Sequence, residues 1–128
     1  MTLLLDTCAL LWFLADDPKM SVYAKTALED PANKRWLSPI SLVEIALKVR
    51  IRKLSLPDPY PAMFPGRLIA NDIQLLPLES DHIEPLTTLP LHHKDPFDRL
   101  IAATALVEGI TVVSSDTAFD SYGVSRLW

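Results

Sequence analysis

Apolar residues along this chain fall into short runs and longer, helix-length stretches that take turns. Thr2–Leu5 is a short apolar run stopped by Asp6-Thr7, which predicts a buried, parallel strand. Cys8–Ala15 is apolar nearly all round and predicts a helix buried on more than one side. Ser21 suits the cap of a second helix through Leu28, and Arg35-Trp36-Leu37 suits a short strand. Ser41 is the expected N-cap of a helix over Leu42–Arg50, with Leu42, Ile45, Ala46 and Val49 at helical spacing. Prolines 57, 59, 61 and 65 then break the pattern into loop and short helical turns. Ile73–Leu78 predicts a strand, with Pro77 placing it at a frayed end or an edge. Ser80 or Asp81 would cap a short helix to Leu86. The clearest helix runs from Asp95 as cap and Pro96 as first residue to a stop at Gly109. A strand over Ile110–Val113, a helical turn over Thr117–Asp120 and a last strand near Val124–Leu127 complete the chain. Strands alternating with helices imply an α/β sandwich around a mostly parallel sheet.

The 128 residues, 49% of them hydrophobic, fit one domain with a proper core, and no linker-like stretch or repeat divides them. Leu3–Ala15 is too short to span a membrane, which needs roughly 20 apolar residues, and it carries Asp6 inside the run. It has no basic leader region, so a soluble, cytoplasmic protein is expected. The lone cysteine, Cys8, excludes an internal disulfide framework and suits a reducing compartment. A net charge of −4 argues mildly against nucleic-acid binding, which draws on Lys and Arg. Acids gathered around a bound metal would lower net charge while the ion restores positive charge locally.

In a parallel sheet, ligands bind beyond the carboxyl ends of the strands. Asp6 and Asp116 each follow a predicted strand; Asp98 and Glu44 sit in the first turns of predicted helices. Two carboxylates about 4 Å apart repel by roughly 4 kcal/mol at an effective dielectric near 20. A cluster of four must share protons or hold a cation, and all-oxygen ligation suits Mg²⁺ or Mn²⁺. Thr7 and Ser114 are hydroxyls beside two of these acids, placed to orient carboxylates or water.

Each acid taken alone has a plainer reading. Asp6 can be a helix cap, Asp98 a complement to the helix dipole, Glu44 a capping-box partner of Ser41 and Asp116 a turn residue. Their joint position at element ends favours a metal site. His92 and His93 read as solvated loop, because no third nitrogen or sulfur ligand stands at a useful spacing. His82 reads as surface and Cys8 as a small core residue. Lys48, Arg50, Arg52 and Lys53 form a basic run, either a solvated helix end or a contact for an RNA backbone. Three glycines and no Gly-rich loop argue against a nucleotide-binding fold. An aspartate-nucleophile phosphatase would want an acid two residues after Asp6, where Cys8 stands.

Four blocks in order carry a family resemblance: Leu3-Leu4-Leu5-Asp6-Thr7, Ser38-Pro39-Ile40-Ser41-Leu42-Val43-Glu44-Ile45, Asp95-Pro96-Phe97-Asp98-Arg99-Leu100-Ile101-Ala102 and Val112-Val113-Ser114-Ser115-Asp116. Together they resemble PIN-domain proteins, and more narrowly the VapC-type toxins of bacterial type II toxin–antitoxin systems. The Trp12 region, Leu75–Leu78 and the terminal Leu127-Trp128 fit one sub-branch, so the likeness covers essentially residues 1–128 as a single domain. It implies a three-layer α/β/α sandwich and a Mg²⁺- or Mn²⁺-dependent endoribonuclease inhibited by a cognate antitoxin. Asp6, Glu44, Asp98 and Asp116 match the family's acidic positions, and Thr7 and Ser114 the hydroxyls beside them. Cys8 departs from the His or Asn more usual after Asp-Thr. Asp95 is assigned the cap and Asp98 the metal. The greasy Cys8–Leu14 helix implies a homodimer, and a groove near Arg50–Phe64 a seat for the antitoxin. The alternative is a non-catalytic PIN-like module that binds RNA or a protein.

Overall fold

A computed structural model describes residues 1–128. Five strands, β1 (Thr2–Leu5), β2 (Lys34–Leu37), β3 (Ile73–Leu75), β4 (Thr111–Val113) and β5 (Arg126–Leu127), form one sheet in the order β3-β2-β1-β4-β5. Every pairing is parallel. The chain begins at the centre, steps outward through β2 to β3, and returns to the other side of β1 for β4 and β5. Strand order therefore reverses between β1 and β4, and the crevice beyond their carboxyl ends is where such sheets hold ligands.

Side chains alternate across the sheet, as the two-residue period of a strand requires. Leu3, Leu5, Leu37, Ile73, Val113 and Leu127 point to one face, where α1 (Thr7–Ala15), α2 (Val22–Glu29), α4 (Tyr60–Met63) and α5 (Gly66–Ala70) supply Leu10, Leu28, Met63 and Leu68. Leu4 and Val112 point to the other, against Ile101, Ala102 and Ala105 of α7 (Pro96–Glu108) and against Phe119 and Val124. Helices on both faces of a parallel sheet make the three-layer α/β/α sandwich. Helix α3 (Pro39–Arg50) gives Ile45 to the first face and Ile40 to the second. It thereby wraps the carboxyl end of β2.

Helix ends follow the residue types with two exceptions. Asp6, Ser21 and Asp95 cap α1, α2 and α7, and Gly109 ends α7 with φ 64°, a left-handed conformation natural to glycine. Helix α3, however, starts a turn earlier than the expected Ser41. Ser38 is its cap and Pro39 its first residue, so Glu44 lies in the second turn and is no capping-box partner. Helix α6 (Ser80–Ile83) is capped by Glu79 rather than by Ser80 or Asp81. Strand β3 stops at Leu75, short of Leu78, and occupies an edge as Pro77 foretold. No helix is long and apolar enough to cross a membrane.

Two placements correct the residue-type expectations. Cys8 is exposed, because the first turn of α1 turns that position away from the sheet. His82 is buried, at 2% exposure. Its Nδ1 accepts from the Glu79 N–H at 3.1 Å and its Nε2 meets Glu108 Oε1 at 2.6 Å. That pairing satisfies the imidazole inside the seam between α6 and α7, which is how a buried polar ring avoids a desolvation cost.

Candidate metal centre

Each expected acid is carried to the crevice by a separate element. Asp6 immediately follows β1, with its N–H donating to the Val113 carbonyl of β4 at 3.1 Å. Its Oδ1 accepts from the Ala9 N–H at 2.7 Å, so the same carboxylate caps α1 and faces the site. Asp116 follows β4 and does likewise: Oδ1 caps the 3₁₀ turn Thr117–Tyr122 through the Ala118 N–H at 2.9 Å, leaving Oδ2 for the crevice. Asp98 stands in the first turn of α7. Glu44 reaches in from α3 and is 4% exposed.

Two hydroxyls stand beside these acids. Thr7 Oγ1 donates to Glu44 Oε1 at 2.6 Å and lies 3.0 Å from Ser41 Oγ. Ser114, fully buried, accepts from the Asp116 N–H at 3.0 Å, and its hydroxyl favours the ionised Asp6 carboxylate. Arg126 of β5 donates to the Ser114 carbonyl at 3.1 Å, fixing this turn from the far strand.

Electrostatics report the convergence directly. The Asp98 carboxyl is pushed up to about 7, first by burial and then by the negative charges of Asp95, Asp6 and Glu44, with His93 pulling the other way. Burial also raises Asp6, opposed by the Ser114 and Ala9 hydrogen bonds and reinforced by Asp116 and Glu44. At the rim, the Cys8 thiol, though exposed, is pushed up to about 11 by partial desolvation and by the charges of Asp6 and Glu44, which leaves it un-ionised at neutral pH. Carboxylates that disfavour one another's ionisation are a site prepared for positive charge.

Two basic groups answer that charge from within the chain. Lys48, one turn beyond Glu44 on α3, places Nζ 2.5 Å from Glu44 Oε2, and this hydrogen bond raises its pKa. Of the basic run, Lys48 alone joins the crevice; Arg50, Arg52 and Lys53 are exposed at the end of α3 and beyond. The second group is one that the sequence reading put in solvent. His93 Nε2 lies 2.7 Å from Asp116 Oδ2 and 3.1 Å from Asp98 Oδ2. The three donor atoms are within 4.8 Å of one another. The signal available beforehand was sequence proximity, since His93 stands two residues before the cap Asp95. No motif expectation included it. His92 stays outside the cluster, edge-on to Tyr122 with ring centroids 5.1 Å apart.

The donors fit a hard divalent cation. They are carboxylate oxygens, with hydroxyls beside them and no thiolate, as Mg²⁺ or Mn²⁺ prefers.

With that geometry in view, the family follows. The model of the PIN domain matches residues 3–124, and the chain belongs to this family. Its fold is shared by VapBC2 from Rickettsia felis, solved with a DNA fragment from their promoter, at 18% identity and a TM-score of 0.73, over 99% of this chain and 98% of that one. VapBC-1 from nontypeable Haemophilus influenzae is similar at 16% identity and a TM-score of 0.67, over 99% and 97%. FitAcB from Neisseria gonorrhoeae is similar at 22% identity and a TM-score of 0.59, over 98% and 96%. No curated protein matches the sequence significantly.

Proposed function

We propose that this protein is a divalent-metal-dependent endoribonuclease, the toxin of a VapC-type toxin–antitoxin pair. What supports the proposal is that Asp6, Glu44, Asp98 and Asp116 stand around the switch point of the sheet, where burial first and then their negative charges raise the pKa values of Asp6 and Asp98. Asp6, Asp98 and Asp116 would hold Mg²⁺ or Mn²⁺, with Glu44 toward a second ion or the surrounding water. When bound, such an ion supplies Lewis acidity and lowers the pKa of a nucleophilic water.

The remaining work falls to the chain itself. Thr7 and Lys48 hold both oxygens of Glu44, so that carboxylate keeps one orientation as RNA approaches. The Ala9 N–H orients Asp6 through Oδ1. The Lys48 ammonium, 40% exposed, offers positive charge at the rim to a backbone phosphate, and Arg50, Arg52 and Lys53 extend that offer along the outside of α3.

An antitoxin partner is supported by the fold neighbours, which were solved as VapBC and FitAB structures. A cleft of about 230 Å³ lies between α1 and the Leu54–Pro57 loop, lined by Leu11, Trp12, Leu14, Leu56 and Met63. It overlaps the expected Arg50–Phe64 groove and would seat an apolar antitoxin segment. Homodimerisation through the Cys8–Leu14 region belongs to the same proposal. Leu11, Trp12, Phe13 and Leu14 remain only partly buried there.

Purified protein is expected to cut end-labelled RNA in Mg²⁺ or Mn²⁺, to stop on addition of EDTA and to resume when the ion is restored. Binding of RNA with no cleavage in either metal would replace the nuclease by the non-catalytic module.

A further inference from the structure

The loop before α7 places an imidazole against two of the acids, and nothing in the proposed chemistry assigns it a task. Four contacts fix it. The Asp95 N–H donates to His93 Nδ1 at 3.0 Å, and the His93 N–H donates to the Tyr122 hydroxyl at 2.8 Å. On its other side, Nε2 faces Asp116 Oδ2 at 2.7 Å and Asp98 Oδ2 at 3.1 Å. The loop is tied down further by Arg99, whose guanidinium donates to the Leu89 carbonyl at 2.9 Å.

These contacts decide which nitrogen carries the proton. An atom that accepts a backbone N–H presents a lone pair, so Nδ1 is bare and Nε2 carries the hydrogen. A histidine that ligates a metal has the reverse arrangement: the coordinating nitrogen is bare, and the other donates to a carbonyl or carboxylate. The backbone amide of Asp95 therefore makes the ring a donor toward the acids.

We propose that His93 is a positioning residue that donates its Nε2–H to the Asp116 carboxylate and lies against the Asp98 carboxylate, setting how both present their remaining lone pairs to a divalent cation without binding it. The role rests on the metal-site reading of the same crevice. Its logic is geometric. Asp98 comes from α7 and Asp116 from the turn after β4, and the His93 ring stands between them, hydrogen-bonded to Asp116 at 2.7 Å and 3.1 Å from Asp98 Oδ2. Asp116 Oδ1 is already committed to the Ala118 N–H. The imidazole between them thus sets the relative orientation of two ligands that the fold supplies separately. Outer-sphere donors of this kind change metal affinity by about 10–100-fold.

The test is Mn²⁺ binding by calorimetry, together with pulsed EPR of the bound ion, on the intact protein and on His93→Ala and His93→Gln. Gln offers an N–H near the position of Nε2 but no imidazole. Affinity is expected to fall about 10–100-fold in His93→Ala and to recover in His93→Gln. EPR should show no directly coordinated nitrogen in the unaltered protein. Unchanged affinity in His93→Ala, or equal loss in both variants, overturns the role. Tighter binding by His93→Ala does so too, by making His93 a competitor of the ion. A strong nitrogen coupling would make His93 a ligand and likewise overturns it. Failure of the unaltered protein to bind Mn²⁺ would remove the metal site itself and this role with it, an outcome separate from the others.

Discussion

Asp98→Asn is expected to lower RNA cleavage by at least about 100-fold, beyond the loss typical of an outer-sphere partner, while making the metal-free protein more stable at pH 8. Both effects come from one carboxylate. Its pKa of about 7 means that above neutrality it is ionised against burial and against the charges of Asp95, Asp6 and Glu44. Asn keeps the shape and removes the charge, so the repulsion goes and so does a ligand. Opposed effects on activity and stability mark a site held in an unfavourable state for use. Single-turnover cleavage of labelled RNA and thermal unfolding in EDTA, on the same two preparations, measure both. A variant that loses activity because it unfolds would contradict this account, and so would one that cleaves at the normal rate.

The second large effect is a dependence of stability on pH that metal reverses. Between the ordinary aspartate value of 3.8 and about 7, folded protein holds a proton on Asp98 that the unfolded chain has released. Where the native state binds more protons, stability falls as pH rises, and Asp6 contributes in the same direction. In EDTA the melting temperature should therefore decline from pH 5 toward pH 8 more steeply than that of Asp98→Asn. Divalent ion binds the ionised form, so it should stabilise more at pH 8 than at pH 5. At a hundred times its dissociation constant the gain is about 2.7 kcal/mol, or about 10 °C for a domain of this size. Differential scanning fluorimetry across pH, with Mg²⁺ and with EDTA, reads this directly. Equal stabilisation by Mg²⁺ at both pH values would contradict it.

Much of this site was legible because capping and ligation use the same residues. Asp6 had competing readings as cap and as site acid, and Asp116 as turn residue and as site acid, yet each accepts a backbone N–H through Oδ1 while its carboxylate lies at the crevice. A strand that ends in a parallel sheet delivers the next residue both to a helix start and to the ligand-binding edge, so the two readings coincide. Glu44 was found for a reason that failed. The Ser41 cap would have put it at a first turn, whereas Ser38 and Pro39 start the helix earlier and its position one turn before Lys48 decides its surroundings. His82 and His93 were missed alike, since each is satisfied by partners far along the chain, Glu108 and Asp116. Beyond the nearness of His93 to Asp95, local spacing carries no trace of such pairs. Cys8 was misplaced because an apolar neighbourhood in sequence does not say which side of a helix faces the sheet; that depends on how α1 packs on β1 and α3.

The measurement nearest the centre of this account is the anomalous difference map of a crystal soaked in Mn²⁺. It should show density bounded by the carboxylates of Asp6, Asp98 and Asp116, beyond the ends of β1 and β4. Ion density only at surface acids away from that crevice, or none at saturating Mn²⁺, would contradict it.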